Sequence, residues 1–213
     1  MNKLILNFKS KDSKKIKNPK NFLGGKGANL SAMGRMGLPV SPGFTISTKV
    51  CEIFYKDKKK LNSKLISQIK KEIKTIEKDV SKKFGDLKNP LLLSVRSGAR
   101  VSMPGMMDTI LNLGLNDKTV VALANKTSNG RFAKDSYRRF IQMYGNVVMG
   151  VESYNFEELI ENYKLTKGVL MDTDLDEEDW DGLIKDFKNV VKQKTNKDSV
   201  SYTHLTLPTI VSV

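Results

Sequence analysis

The sequence has 213 residues, 39% of them hydrophobic and 28% charged, with a formal net charge of +14. This composition excludes a disordered chain and is typical of one folded domain, alone or with a small second lobe. No apolar run approaches the roughly 18 residues that cross a bilayer and residues 1–8 lack a signal-peptide core, so we expect a cytoplasmic protein with no membrane partner.

The first quarter of the chain alternates strand and helix signals. Residues 4–8 predict a short strand, and a glycine cluster at 24–27 leads into a predicted helix over 28–36. Residues 44–47 are β-prone, and Thr48 is a candidate N-cap for a helix that runs to residue 55. Cys51 is the only cysteine, which excludes an internal disulfide, and we expect it to be reduced and buried.

The middle of the chain predicts one long helix and one buried strand. Between residues 61 and 84, apolar side chains recur at three- and four-residue spacing with lysines on the other face: Leu61, Leu65, Ile69, Ile73, Ile76 and Val80. Residues 91–95 form a continuous apolar run, which predicts a strand buried on both faces. Arg96 is then expected at the end of that strand.

The remaining pattern continues the alternation of strand and helix. A strand is predicted over residues 110–114, and helices are predicted over 118–126, 131–144, 156–167 and 177–192. The fold class indicated is α/β (α+β), without an internal repeat.

Lys26 lies in the glycine cluster Gly24-Gly25-Lys26-Gly27. Glycines let the backbone approach a phosphate, and the lysine ammonium supplies a point charge. The cluster is not a P-loop, because Gly27 stands where Ser or Thr is required. The pattern also suits a plain helix-entry turn.

A second candidate segment follows the predicted buried strand. It places two guanidinium groups, those of Arg96 and Arg100, at a strand end, where open α/β sheets bind ligands. Arg96 suits nucleotide phosphates, and a structural ion pair with a carboxylate such as Asp108 is the alternative. Further on, methionines such as Met103 suit either core filling or an adenine slot, and the Thr109 hydroxyl suits a phosphate or ribose.

Six acidic residues precede or begin the last predicted helix, and their position indicates helix capping rather than a metal site: Asp172, Asp174, Asp176, Glu177, Glu178 and Asp179. Residues 199–213 contain no Lys, Arg, Asp or Glu. They resemble a translated sequencing-adaptor read-through, so we expect a non-native tail, with a genuine β-prone tail as the alternative.

Four segments in order resemble the pyruvate, phosphate dikinase family: residues 23–30, 37–45, 93–117 and 135–145. The likeness covers residues 1–198, which we therefore expect to be the N-terminal part of one domain. The related phosphoenolpyruvate synthase and rifampicin phosphotransferase share the glycine–lysine loop and the Val-Arg-Ser strand end. They differ over residues 100–107, which favours the dikinase.

The resemblance implies a partial ATP-grasp nucleotide-binding domain. The family converts ATP, phosphate and pyruvate to AMP, diphosphate and phosphoenolpyruvate. By family likeness, Lys26 and Arg96 contact the nucleotide phosphates, with Arg96 in the catalytic role, and Met103 and Thr109 lie near the nucleotide. The sequence departs from the family pattern at Gly130, where proline is usual, and at Lys134, where tyrosine is usual.

The resemblance also implies that essential parts lie elsewhere in a longer, homo-oligomeric parent. These parts are the Mg²⁺ ligands, the pyruvate-binding barrel and the histidine that carries the phosphoryl group. His204 lies in the suspected tail, outside the family's glycine–threonine–serine–histidine context, so we do not assign it that role. The chain alone is expected to be inactive.

The charge leaves other function classes open. A basic nucleic-acid-binding protein would also be rich in lysine, but no aromatic-plus-basic strand motif accompanies these lysines, so we expect no nucleic-acid partner. A phosphoenolpyruvate synthase-type enzyme is a further alternative. So is a non-catalytic regulatory or scaffold remnant of the dikinase.

Overall fold

The computed structural model describes residues 3–58, 60–98 and 109–196. The described residues form two compact units of mixed helix and strand. The first contains residues 3–58, 60–81 and 96–98, and the second contains residues 82–95 and 109–196. Among the described residues, no helix is both long and apolar enough to span a bilayer.

The first unit combines a two-stranded sheet with three helices. Its elements are β1 (Ile5–Asn7), α1 (Pro19–Arg35), β2 (Phe44–Ile46), α2 (Thr48–Lys56) and α3 (Ser63–Val80). A short 3-10 helix, Lys11–Lys15, lies between β1 and α1. β1 and β2 pair antiparallel, with Ile5 opposite Ile46. α1 packs against β2 and α2, and α3 packs against β1.

Local sequence signals explain where the helices of the first unit begin and end. Asn18 caps α1, and Pro19 occupies a first-turn position where a missing N–H costs nothing. Asn62 caps α3 by accepting a hydrogen bond of 2.9 Å from the Leu65 amide. α3 ends at Val80 because Ser81 adopts a left-handed conformation with φ 53°.

The second unit combines four helices with another two-stranded sheet. Its elements are β3 (Leu93–Arg96), β4 (Thr109–Leu113), α4 (Thr119–Thr127), α5 (Gly130–Val147), α6 (Tyr154–Lys167) and α7 (Glu177–Thr195). The last residue of β3, Arg96, already belongs to the first unit. α5 contacts β4, α4 and α7, and α6 packs on α7. Phe156 and Phe187 pack together in this core, with ring centroids 4.9 Å apart and ring planes tilted by 60°.

Arg138 is a buried charge at the centre of the second unit. Its guanidinium lies 2.5 Å from the Asp135 carboxylate and 4.5 Å from the ring centroid of Trp180, which is fully buried. Burial lowers the pKa of Arg138, whereas Asp135 favours the charged form. The Asp135 carboxylate thus compensates the positive charge of Arg138 inside the helical core.

Three sequence expectations about individual positions are wrong. The strand predicted over residues 91–95 is not buried on both faces: β3 alternates, with Leu93 and Val95 half-buried and Ser94 and Arg96 exposed. Its pattern is that of a strand with one solvated face.

The other two errors concern the start of α2. Ser47, not Thr48, occupies the N-cap position, because Thr48 already has helical geometry and its hydroxyl donates to the Asn21 carbonyl instead. Cys51 is exposed rather than buried, since Val50 and Phe54 form the inward side of this helix.

Two of the six acidic residues, Asp176 and Asp179, cap the start of α7, whereas Asp172 forms ion pairs with Arg138 and Lys164. The Asp176 carboxylate accepts hydrogen bonds from the amides of Glu178 and Asp179, and Asp179 reaches back to the Asp176 amide. Lys167 forms ion pairs with both carboxylates. The hydrogen bond from Lys167, followed by that from the Asp179 amide, lowers the pKa of Asp176 from 3.8 to about 2.

A pH titration of Asp176→Asn tests this capping arrangement. Asparagine keeps an N-cap oxygen but has no charge. The difference in stability between parent and variant therefore measures the contribution of the ionised Asp176 carboxylate. Because the folded-state pKa is depressed, the charge stabilises the fold above about pH 3.8, and this contribution disappears as the pH falls to about 2. Urea unfolding midpoints of parent and variant should therefore converge across this window. A constant difference between them would contradict the assignment.

Candidate functional site

The glycine–lysine cluster lies at a break within α1. Gly24 has φ 71° and ψ 168°, a backbone conformation that is essentially restricted to glycine. The helix stops at Leu23 and restarts at Gly25. The prediction of a helix over residues 28–36 therefore missed both the earlier start at Pro19 and this interruption.

Gly27 lets the restarted helix lie directly against β2. A Cβ added at Gly27 would stand 2.7 Å from Cγ2 and 2.8 Å from Oγ1 of Thr45, closer than real side chains approach. Thr48 fixes the other side of the break, since its hydroxyl donates a hydrogen bond of 2.7 Å to the Asn21 carbonyl. These contacts hold the segment that carries Lys26.

Lys26 is half-buried at the start of the restarted helix. Within the part of the chain that the structure describes, its ammonium makes no hydrogen bond and no ion pair. A lysine in this position presents its charge to solvent or to a ligand. Sequence reasoning identified Lys26 from the surrounding glycines, and the break at Gly24 explains why glycine is needed there.

Arg96 is the exposed last residue of β3, and its guanidinium also has no ion pair among the described residues. A Cβ placed on Gly98 would lie 3.9 Å from the Leu23 carbonyl oxygen. The backbone that follows Arg96 therefore passes beside the residue that precedes the Gly24 break. Both candidate phosphate-binding segments approach each other within the first unit.

Of the remaining predicted site residues, the structure describes only Thr109. Thr109 is half-buried at the start of β4, in the second unit. Met103, Arg100, Asp108 and His204 lie outside the described residues. Among those described, no group of three or more His, Cys, Asp or Glu side chains is placed to share a metal ion.

Two contributors to this region were missed by the sequence predictions. Thr45 contacts Gly27, and Thr48 ties α2 to the first turn of α1. Threonine in and after a β-prone segment is too common a pattern to reveal either contact. The one sequence feature that pointed to these contacts is that both threonines follow the glycine cluster in the same strand–loop–helix pattern.

Comparison with known proteins identifies the family to which this chain belongs. Residues 20–69 and 58–205 match the family described as pyruvate phosphate dikinase, AMP/ATP-binding domain. The chain is 52% identical over 177 residues to pyruvate, phosphate dikinase of Clostridium symbiosum, covering 83% of this chain and 20% of the relative. The chloroplastic enzyme of Flaveria pringlei is 51% identical over 188 residues, with coverages of 88% and 20%.

A third relative, pyruvate, phosphate dikinase of Entamoeba histolytica, is 50% identical over 178 residues, which are 84% of this chain and 20% of that protein. The matched region extends over more than half of the chain. The chain therefore belongs to the pyruvate phosphate dikinase AMP/ATP-binding domain family, as the sequence motifs predicted. It spans about a fifth of the length of these relatives.

A double-mutant cycle tests the close approach at Gly27. Gly27→Ala should lower the free energy of unfolding by about 1–3 kcal/mol, because the added methyl group overlaps the γ atoms of Thr45. In a Thr45→Ala background these atoms are gone, so the same substitution should cost much less. Urea unfolding of the four proteins measures the coupling. Additive losses would show that the contact with Thr45 is not the constraint.

Proposed function

We propose that this chain supplies part of the ATP site of a dikinase-type phosphotransferase, within a partial ATP-grasp domain. The observation that carries the proposal is Lys26, a half-buried cation without a partner among the described residues, placed directly after the Gly24 break. The family description, which names AMP and ATP, supports a nucleotide as the ligand.

The restarted helix suits a nucleotide phosphate. The first amides after a helix start lack intrahelical acceptors, and the helix dipole is positive there. Gly25 and Gly27 add no bulky side chain around these amides. In the proposed complex the amides hold phosphate oxygens, and the Lys26 ammonium neutralises their charge.

Arg96 is proposed to act on the phosphoryl group that is transferred. A guanidinium presents several donors in a fixed planar fork, which matches phosphate oxygens. Phosphoryl transfer depends mainly on positioning and on neutralising charge that spreads over the phosphoryl oxygens. Arg96 is exposed and has no ion pair among the described residues, which leaves it available for this role.

Magnesium would supply further charge neutralisation in such a site. The carboxylates described before α7 do not fit it, because Asp176 and Asp179 are engaged in capping and in ion pairs with Lys167. We propose that its ligands come from other parts of the parent protein. No step is assigned to this chain through the metal.

The complete reaction is proposed for the parent protein, whose relatives are about five times longer than the matched region. It would convert ATP, phosphate and pyruvate to AMP, diphosphate and phosphoenolpyruvate through a histidine in another part of the molecule. Homo-oligomeric assembly of the parent and a cytoplasmic location also remain proposals. The relatives reported above are dikinases by name, which favours this reading over a phosphoenolpyruvate synthase.

Substitutions at the site should separate the two half-reactions of the full-length parent. Lys26→Ala or Arg96→Ala should lower ATP-dependent phosphorylation by about 10²–10³ in rate, because each removes a preorganised charge. Phosphoryl exchange between pyruvate and phosphoenolpyruvate should be unchanged. Arg139→Ala is the matched control, since Arg139 is exposed and pairs with Asp135 at 3.0 Å. Equal losses in both half-reactions would indicate a role in folding instead.

The 213-residue chain by itself should not form phosphoenolpyruvate, even with Mg²⁺ and all substrates present. It lacks an assigned phosphoryl-carrying histidine, and an incomplete site cannot exclude water. Weak ATP binding is the most that we expect, and removal of residues 199–213 should not change it. A coupled assay for phosphoenolpyruvate measures this. Turnover by the purified chain would overturn the expected inactivity. Loss of that turnover on His204→Ala would show in addition that residues 199–213 are not a non-native tail.

A further inference from the structure

The Thr48 hydroxyl lies against the backbone that precedes the break in α1. It donates a hydrogen bond of 2.7 Å to the Asn21 carbonyl oxygen, and the Phe22 carbonyl oxygen lies 3.5 Å away. Thr48 is the first residue of α2, so one side chain of α2 contacts two successive carbonyls of α1. These two carbonyls lie just before the non-helical residue Gly24.

The break at Gly24 removes the usual partners of these carbonyls. In a continuous helix the Asn21 carbonyl would accept a hydrogen bond from the Gly25 amide, four residues later. The Phe22 carbonyl would likewise accept from the Lys26 amide. Gly24 has ψ 168°, whereas a helical residue has ψ of about −42°. The peptide group that follows Gly24 is therefore turned out of the helical ladder.

Two carbonyls and two amides consequently need partners outside the helix. The Thr48 hydroxyl supplies a donor to the carbonyl side of the break. The amide side belongs to Gly25 and Lys26, which are half-buried and which the proposed function assigns to nucleotide phosphates. A hydroxyl that occupies the carbonyls competes directly with the helical bonds that would otherwise consume these amides.

We propose that Thr48 is a positioning residue that keeps the break in α1 open, so that the amides of Gly25 and Lys26 stay available to ATP phosphates. This inference rests on the proposed ATP site and adds a residue that acts through the backbone. Without the hydroxyl, α1 gains a competing arrangement in which Gly24 is helical and the two amides bond within the helix. ATP binds the open arrangement, so its apparent affinity falls with the fraction of open molecules.

Thr48→Val in the full-length parent tests this role, because valine resembles threonine in shape but has no hydroxyl. Loss of the hydrogen bond should raise the KM for ATP about fivefold in ATP-dependent phosphorylation. The kcat should change less than about twofold, since saturating ATP selects the open arrangement. Hydrogen exchange over residues 21–30, followed by mass spectrometry, should become slower as the two amides enter helical bonds.

Two further variants control for the side chain itself. Thr48→Ser keeps the hydroxyl and should match the parent in exchange and in the KM for ATP. Thr75→Val should also match the parent, because the Thr75 hydroxyl donates to the Lys71 carbonyl at 3.2 Å within α3, where the helix has no break. Unchanged or faster exchange in Thr48→Val would overturn the proposal, and so would an equal rise in KM in Thr48→Ser.

Lys26→Ala separates this proposal from the proposed ATP site. If Lys26→Ala leaves ATP-dependent phosphorylation unchanged, the proposed ATP site is wrong, and hydrogen exchange still decides whether Thr48 holds the break open. If Lys26→Ala slows phosphorylation while Thr48→Val leaves the KM for ATP unchanged, the ATP site stands and the positioning role of Thr48 is overturned.

Discussion

The contact between α1 and β2 at Gly27 is the constraint on which the first unit depends. A side chain at this position would overlap Thr45, so only glycine allows the helix to lie this close to the strand. The break at Gly24 directs the restarted helix into that contact, and the Thr48 hydroxyl bond to Asn21 holds the preceding turn. Lys26 lies between Gly24 and Gly27, so these contacts constrain the backbone that carries it.

Strongly periodic sequence was sufficient to predict much of the fold. α3 was predicted because apolar residues recur at helical spacing, and helix capping before α7 was predicted because six acidic residues cluster there. The start of α1 was missed because Asn18 and Pro19 lie in a lysine-rich segment without apolar periodicity. The burial of β3 was overestimated, since a continuous apolar run does not reveal which face of a strand is covered.

The candidate site was predictable only in part. Lys26 and Arg96 were predicted as site residues because glycines and a strand end are local signals for phosphate binding, and this remains a prediction. The contribution of Thr48 was not predictable, because its hydrogen bond joins residues 27 positions apart.

The exposure of Cys51 makes the molecule convenient for site-specific spectroscopy. It is the only cysteine in the sequence, so a maleimide dye or nitroxide would attach at one defined place without prior mutagenesis. Partial desolvation and the nearby Glu52 charge raise the pKa of the Cys51 thiol, so conjugation proceeds faster in mildly alkaline buffer, where more of the thiolate is present.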